Sequence, residues 1–374
     1  MKNKKKIRIG CASAFWGDTS TAAKQLVEKG ELDYLVFDFL AEVTMSILAR
    51  AKSKDPKMGY ATDFVRQLEP ILHLIKKDEI KVLSNAGGIN PNACRDMLEY
   101  AAERSGIKLN IAIVTGDDLI SELPKIKELG ITEMDRHDPV PESCLSINAY
   151  LGAPGMVQAL KEGADIVITG RCVDSALVLA PLIYEFDWKY SDYDLLASGS
   201  LAGHIIECGA QCTGGNHTDW KEVQGFHDMG FPIVEVEQNG DFVVSKPDNT
   251  GGMITFGTVA EQFLYEIGNP AEYILPDVVC DFTKVTIKNI GTDLVQVSGA
   301  SGSAPTDHYK VSATYMNGYR VTGTLVIGGK DSEEKGKRIA NAIIRKVSDL
   351  LIKEGLEPFK RTSFDLIGTD SIYG

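Results

Sequence analysis

Paired cysteines are missing from this sequence. Its seven cysteines are an odd number, none forms a CxxC, and the closest spacing is Cys208 to Cys212. A disulfide framework is therefore not expected, and reduced thiols are. Long apolar runs are missing too: none approaches the roughly 20 residues of a membrane helix. The basic start, MKNKKKIRIGCASAFWGD, resembles a signal peptide only at first. Its apolar part is broken by Arg8 and stops at Gly17-Asp18, too short for the purpose. An excess of positive charge is missing: the net charge is −13 and the pI near 5.0, which argues against a nucleic-acid partner. There is no GxGxxG, no P-loop and no HExxH, so nucleotide and zinc-protease fingerprints are absent. These absences lead to the expectation of a cytoplasmic protein that binds neither nucleic acid nor membrane.

What is present is an ordinary globular balance over 374 residues, 44% hydrophobic and 24% charged, long enough for two or three domains. The first two-thirds repeat one pattern: a short apolar run, a Gly/Asn/Asp/Ser loop, then an amphipathic helix. This alternation predicts βαβ units and a mostly parallel sheet with flanking helices. Strands are expected at Ile7–Gly10, Tyr34–Asp38, Lys81–Asn85, Asn110–Val114 and Ile166–Thr169. Helices are expected at Thr21–Lys29, Ala41–Ala51, Thr62–Lys76, Asn92–Ser105, Asp118–Glu128 and Pro154–Glu162.

The pattern changes near residue 225. IVEVEQNGDFVVSK reads as a hairpin with Asn239-Gly240 in a type I′ turn. VTIKNIGTDLVQVSGASG and YKVSATYMNGYRVTGTLVIGG continue as antiparallel strands, the second turned by another Asn-Gly, and a helix over Ser332–Lys353 closes the set. The expected organisation is an α/β domain over residues 1–225, carrying the main site, packed against an α+β domain over residues 226–374. The closing stretch DLIGTDSIYG reads as a strand-like segment without a finishing element, which predicts packing against another chain or a sequence cut short of its natural end.

Ligands of open parallel sheets bind beyond the carboxyl ends of the strands, so the loops there carry the candidate residues. In FDFLAEVT, Asp38 and Glu42 are four apart. They would share a helix face if the helix already includes Asp38, and they could serve as an acid/base pair or as metal ligands. The competing reading makes Asp38 a helix cap and Glu42 a first-turn residue favoured by the helix dipole. In SNAGGINP, Asn85 ends a strand, and Gly87-Gly88 could let backbone amides approach an anion at a helix start. Asn90 followed by Pro91 is also a good helix cap in itself. In TGRCVDSA, Arg171 projects at the sheet edge, suited to bidentate recognition of a carboxylate or phosphate. Its local alternative is an ion pair with Asp174. Cys172 beside it reads as a structural thiol.

The stretch GHIIECGAQCTGGNHTDW, residues 204–220, packs His204, Glu207, Cys208, Cys212 and His217 together. His204 and Glu207 share a face if the segment is helical, but the spacing matches no metal signature, and no metal ligand is assigned. The expectation is that Glu207 and Gln211 lie at a helix end, and the Gly214-Gly215 loop beyond it, facing the site that Arg171 anchors. The Ser/Gly-rich segment VSGASGSAPTDHYKV, with Lys310, could cover that site.

FDFLAEVTMSIL, SNAGGINP, YLGAPGMVQALKEGADIVITGRCVDSALVLAP and GHIIECGAQCTGGNHTDW, in this order, resemble the acyclic terpene utilisation protein A family from Ile7 onward. The resemblance implies catabolism of citronellol- and geraniol-like compounds or other branched acids, alongside acyl-CoA carboxylases. It places Asp38, Glu42, Asn85, Gly87, Gly88, Arg171, Asp174, Glu207, Gln211, Gly214 and Gly215 within the family's motifs, and leaves Cys172, Cys212 and His217 outside them. It also implies a small ferredoxin-like α+β domain, carried by longer members and supplied to shorter ones as a separate partner subunit.

The expected function is therefore an enzyme acting on a branched, unsaturated carboxylic acid or its CoA thioester by hydration, dehydration or isomerisation. Asp38, Glu42 and Glu207 would move protons. Asn85, Gly87, Gly88, Asn90, Arg171, Asp174, Gln211, Gly214 and Gly215 would hold the anionic substrate. No redox cofactor is called for; CoA enters only as part of the substrate. A homo-oligomer is expected. The alternatives are a non-catalytic acyl-CoA-binding or scaffold subunit of a carboxylase-linked complex, and a metal-dependent hydrolase. Arg171→Ala is expected to abolish turnover with the fold intact.

Overall fold

Alternation along the first strands assigns their side chains to two cores. Ile7, Ile9, Tyr34, Val36, Leu83 and Val167 enter one, while Leu35, Phe37, Val82, Ile166 and Ile168 enter the other. A strand buried on both faces must be covered by helices on both, and the computed structural model, which describes residues 6–369, has that arrangement.

The elements of the α/β part are β1 (Lys6–Cys11), α1 (Ala22–Lys29), β2 (Tyr34–Phe37), α2 (Glu42–Lys54), α3 (Thr62–Leu68), α4 (Leu72–Lys77), β3 (Lys81–Ser84), α5 (Pro91–Arg104), β4 (Ile111–Val114), α6 (Leu123–Glu128), β5 (Ser146–Ala149), α7 (Pro154–Lys161), β6 (Ile166–Thr169), α8 (Ala176–Phe186) and α9 (Tyr193–Glu207). Then follow β7 (Ile233–Glu237), β8 (Phe242–Ser245), α10 (Phe256–Leu264), β9 (Tyr273–Ile274), β10 (Val279–Asp281), β11 (Thr286–Gly291), β12 (Leu294–Ser298), β13 (Ser301–Ser303), β14 (Val311–Thr314) and α11 (Ser332–Lys353). Helices α1 to α5 cover one face and α7 to α10 the other.

A nine-stranded sheet runs in the order β11-β12-β8-β7-β1-β2-β3-β6-β4. Strands β1, β2, β3, β6 and β4 are parallel, and the remaining pairings, from β1–β7 outward, are antiparallel. The fold is thus α/β with a large, mostly parallel sheet and antiparallel strands toward the C-terminus. The sheet crosses residue 225 without a break, because β7 pairs directly with β1. The chain separates into compact units at residue 316: unit 1 ends at Met316 and unit 2 begins at Asn317.

Several expectations meet local physics that the pattern did not capture. The expected helix over Thr62–Lys76 breaks at Glu69-Pro70 into α3, a short 3-10 turn and α4, since proline cannot donate within a helix. The region Asp118–Glu128 is helical only from Ile120, again as a 3-10 turn followed by α6. The β7–β8 hairpin forms, but Asn239 does not take a positive φ. Only Gly240 does, at φ 91°, with its amide bonded to the Glu237 carbonyl. This turn is not type I′. Of the last expected hairpin, only β14 is a strand, and it pairs with β5. Residues 315–328 form no strand among those described. Of the closing stretch DLIGTDSIYG, Asp365–Thr369 is non-regular, and the rest lies outside the described residues, as do Met1–Lys5.

Candidate functional site

The carboxyl ends of β2, β3 and β6 deliver Asp38, Asn85 and Arg171 to one sheet edge. Arg171 is the best-held of them. Its backbone amide donates to Asp117 Oδ2 at 2.8 Å, and Asn148 Nδ2, from β5, donates to the same oxygen at 2.8 Å. Asp117 fits because residue 170 is glycine: a Cβ there would collide with its carboxylate. The guanidinium is 3% exposed. Nη1 donates to Asp174 Oδ1 and to the Cys172 carbonyl, both at 2.5 Å, and Cζ lies 4.0 Å from the centroid of the Tyr150 ring. Burial alone would weaken this cation, but Asp174, Tyr150 and Asp38 together hold its proton more firmly than normal. Nε is buried and has no acceptor. The local ion pair read from the sequence therefore exists, with its cation buried.

Asp38 follows β2 and is 6% exposed. Asn85 Nδ2 donates to its Oδ1 at 2.6 Å, while Asn85 Oδ1 accepts from the Phe39 amide at 2.8 Å. One asparagine thus clamps both the carboxylate and its backbone. Burial, then the charges of Asp174 and Glu207, push the Asp38 carboxyl well above its ordinary range, against weaker help from Arg171 and Asn85. The net effect favours the protonated form of Asp38 relative to an ordinary aspartate. Residues 38–41 are not helical, and Ala41 is the N-cap of α2. Asp38 and Glu42 therefore share no helical face, and Asp38 is not the cap.

Glu42 instead meets two residues the sequence did not mark as a set. The Tyr150 hydroxyl donates to its Oε1, and Lys310 Nζ lies 3.3 Å from the same oxygen. Burial works against the Glu42 anion, but Tyr150, its own amide, Lys310 and Arg171 overcome it and bring the carboxyl down to about 2. Burial, and the bond to Glu42, push the Tyr150 hydroxyl up to about 12 despite Arg171. The β5–β14 pairing supplies this contact: the Tyr150 amide donates to the Lys310 carbonyl at 3.0 Å.

Glu207 ends α9. His204 Nδ1 sits 2.9 Å from its Oε1. Burial raises the Glu207 carboxyl, His204 opposes, Asp174 and Glu266 add to the rise, and the balance is about 7. Because the charges of Asp38, Asp174 and Glu207 act on one another, these three carboxyls and Arg171 form one electrostatic group. Gln211 turns away from it: its Nε2 donates to Gln262 Oε1 at 2.7 Å, and Gln262 Nε2 donates to the His204 carbonyl at 2.9 Å.

The glycines have packing reasons. A Cβ on Gly87 would strike the Thr169 carbonyl and Pro91, and one on Gly88 would strike Leu48 and the Gly59 carbonyl. The Gly88 amide is already bonded to the Asn85 carbonyl at 3.1 Å. Gly214, at φ 98°, packs on Val223, and the Gly215 amide donates to the Ala210 carbonyl. Asn90 caps α5 by accepting from the Ala93 amide, and its Nδ2 donates to the Pro56 and Met58 carbonyls. None of these five is placed against Arg171 by any hydrogen bond or ion pair among the described residues.

Tyr150, Asp117 and Asn148 are the residues sequence reading missed. Tyr150 stands directly before the Leu-Gly-Ala-Pro helix start, and Asp117 in a Gly-Asp-Asp loop after β4; each was visible as a loop residue after an apolar run. Among the described residues, no three His, Cys, Asp or Glu side chains are grouped to hold a metal ion, and no helix is long and apolar enough to cross a membrane.

No curated protein and no solved structure matches the chain. Its family is nonetheless established over nearly its whole length: the family model described as acyclic terpene utilisation family protein AtuA matches residues 7–373, and the chain belongs to that family.

Proposed function

We propose that the Arg171 corner performs acid–base chemistry on a branched, unsaturated carboxylic acid or its CoA thioester: hydration, dehydration or isomerisation. The observation that carries this reading is the charge arrangement. One buried guanidinium pairs with Asp174 and feels the charge of Asp38, whose carboxyl is raised well above its ordinary range; Glu207, which titrates at about 7, is coupled to both of these carboxyls. An acid and a base whose proton affinities differ, beside a cation, suit removal of a proton next to a carbonyl and protonation of a leaving or accepting carbon or oxygen. Arg171, with Nε free, would hold the carboxylate or carbonyl oxygen; Asp38 and Glu207 would move protons; Asn85 would keep Asp38 aimed. Glu42 stays an anion at neutral pH and supports Tyr150 rather than donating a proton.

The reading includes a cytoplasmic homo-oligomer and a small α+β partner subunit. Support for a partner comes from unit 2, where Tyr319, Val321, Leu325 and Val326 are exposed apolar side chains on a segment without strand pairing.

Arg171 is too embedded for alanine to leave the fold untouched, since a buried ion pair stripped of one member costs about 3–5 kcal/mol. Arg171→Lys keeps the charge and is the better probe. The full chain is incubated in D2O with branched unsaturated acids and their CoA esters, and deuterium uptake is followed by mass spectrometry. Uptake by one chemical class, lost in Arg171→Lys and Glu207→Gln, is the expected result. No uptake from any of them by the wild-type chain, with and without a candidate partner, overturns the proposal in favour of a binding subunit.

A further inference from the structure

His204 is more buried than any role as a helix-surface residue requires. It is 2% exposed, sits in the last turn of α9, and lies one turn before Glu207 on the same face. Nδ1 is 2.9 Å from Glu207 Oε1, and Nε2 is buried with no partner. Its carbonyl is pinned by Gln262, which is in turn held by Gln211, so the ring is carried on a fixed backbone. The end of a helix favours a cation, and i, i+3 spacing favours the ion pair.

We infer that His204 and Glu207 form one proton-sharing couple, in which His204 is a positioning residue that stores the proton Glu207 delivers to the Arg171 corner. The inference rests on the acid–base reading of that corner. In the step itself, the O–H bond at Glu207 Oε1 breaks and an N–H bond forms at His204 Nδ1, turning a neutral acid and a neutral imidazole into a carboxylate and an imidazolium. The reverse step returns the proton. The unpartnered, buried Nε2 gives the proton no second exit, which makes the imidazole a store and not a relay to solvent. The other titratable groups that face the couple are Asp174, Glu266, Asp38, Tyr265, Tyr273, Cys11 and Cys208. Asp174, Glu266 and Asp38 are carboxyls, which favour the imidazolium when ionised. Burial lowers the His204 proton affinity, but Glu207 reverses this and the net effect is a rise.

The test needs no substrate. The full chain is labelled with 13C and 15N in its histidine rings, and the His204 resonance is titrated in the wild type and in Glu207→Gln, an isosteric change. Loss of the carboxylate removes the main opposition to burial and leaves only the Gln262 bond and Glu266 against it, so the His204 midpoint should fall by about one pH unit or more. An unchanged midpoint overturns the couple. If Glu207→Gln does not fold, the wild-type 15N spectrum decides. A protonated Nδ1 that loses its proton as pH rises supports the couple, and an Nδ1 bare throughout overturns it. A titrating couple without turnover of any acid would refute the proposed function and leave the couple standing. Turnover with His204 blind to Glu207 would do the opposite.

Discussion

The guanidinium of Arg171 lies 4.0 Å from the ring centroid of Tyr150. Lys310 Nζ lies 4.9 Å from the same centroid, and the ring's hydroxyl donates to Glu42. One aromatic side chain thereby joins the ends of β5 and β6 to the start of α2 and the approach to β14. Desolvated cation–π contacts contribute about 2 kcal/mol, against 0.5–1 at exposed sites, roughly. The buried Arg171 contact should therefore outweigh the one to half-exposed Lys310.

Tyr150 offers a direct comparison. Tyr150→Phe keeps the ring under Arg171 and loses the hydroxyl, with its bond to Glu42 and its interaction with Arg171, an expected loss of about 1 kcal/mol. Tyr150→Leu loses the ring face as well and should cost about 2 kcal/mol more. Urea denaturation near neutral pH separates them. Equal losses in the two variants would show that the ring face contributes nothing to holding Arg171.

Glu42 should act as a strut whose strength depends on acid. Its carboxyl titrates at about 2 in the folded protein against 4.5 ordinarily. The stability it contributes is thus complete above 4.5 and is lost as pH falls toward 2. The side chain is 57% exposed, so screening holds the contribution to about 1 kcal/mol or less. Glu42→Gln should lie below wild type by that amount near neutral pH and converge with it only as pH falls to about 2. A gap that persists undiminished in acid would mean that packing, and not charge, accounts for the loss.

How much of this was legible beforehand follows from the range of each interaction. The parallel strands were readable because burial on both faces forces apolar runs, and the loops after β2, β3 and β6 pointed to Asp38, Asn85 and Arg171. The β5–β14 pairing was not readable, because SINA in β5 is too short and polar to announce a strand, and its partner begins more than 160 residues later. With that pairing hidden, Tyr150 and Lys310 could not be placed on Arg171 and Glu42. The glycines are ambiguous for another reason: close packing against Thr169 and Gly59 and close approach to a ligand demand the same missing Cβ.

Glu207 makes the opposite pH prediction to Glu42. Its carboxyl titrates at about 7 folded against 4.5 ordinarily, so the folded state keeps a proton that the unfolded chain releases. Stability should therefore fall as pH rises from 4.5 to about 7 and level off above, by at most about 1.4 kcal/mol per pH unit for this one proton. The raised His204 works in the same direction, its contribution present in acid and lost as pH rises. Glu207→Gln removes the proton in question. Between about pH 5 and pH 8 the variant should lose less stability than wild type in urea titrations. A steeper loss in the variant would contradict the raised carboxyl.

Gly170 tests whether the Arg171 corner depends on its backbone cradle. A Cβ at residue 170 would fall on the Asp117 carboxylate that receives both the Arg171 amide and Asn148. Asp117 comes from the loop after β4, so alanine must either push that loop outward or tilt Arg171. Overpacking of this kind costs about 1–3 kcal/mol, and here it also breaks two hydrogen bonds to a buried carboxylate. Gly323→Ala is the control, because nothing lies within 4 Å of a Cβ there. Gly170→Ala should lower the urea midpoint clearly while Gly323→Ala leaves it in place. On the proposal that the Arg171 corner holds an acid, it should also weaken that binding more than Gly87→Ala does, since a Cβ on Gly87 would first meet the Thr169 carbonyl and Pro91 and not Asp117. Equal effects on binding from the two glycines would show that Arg171 is oriented by its ion pair with Asp174 and its contact with Tyr150 alone.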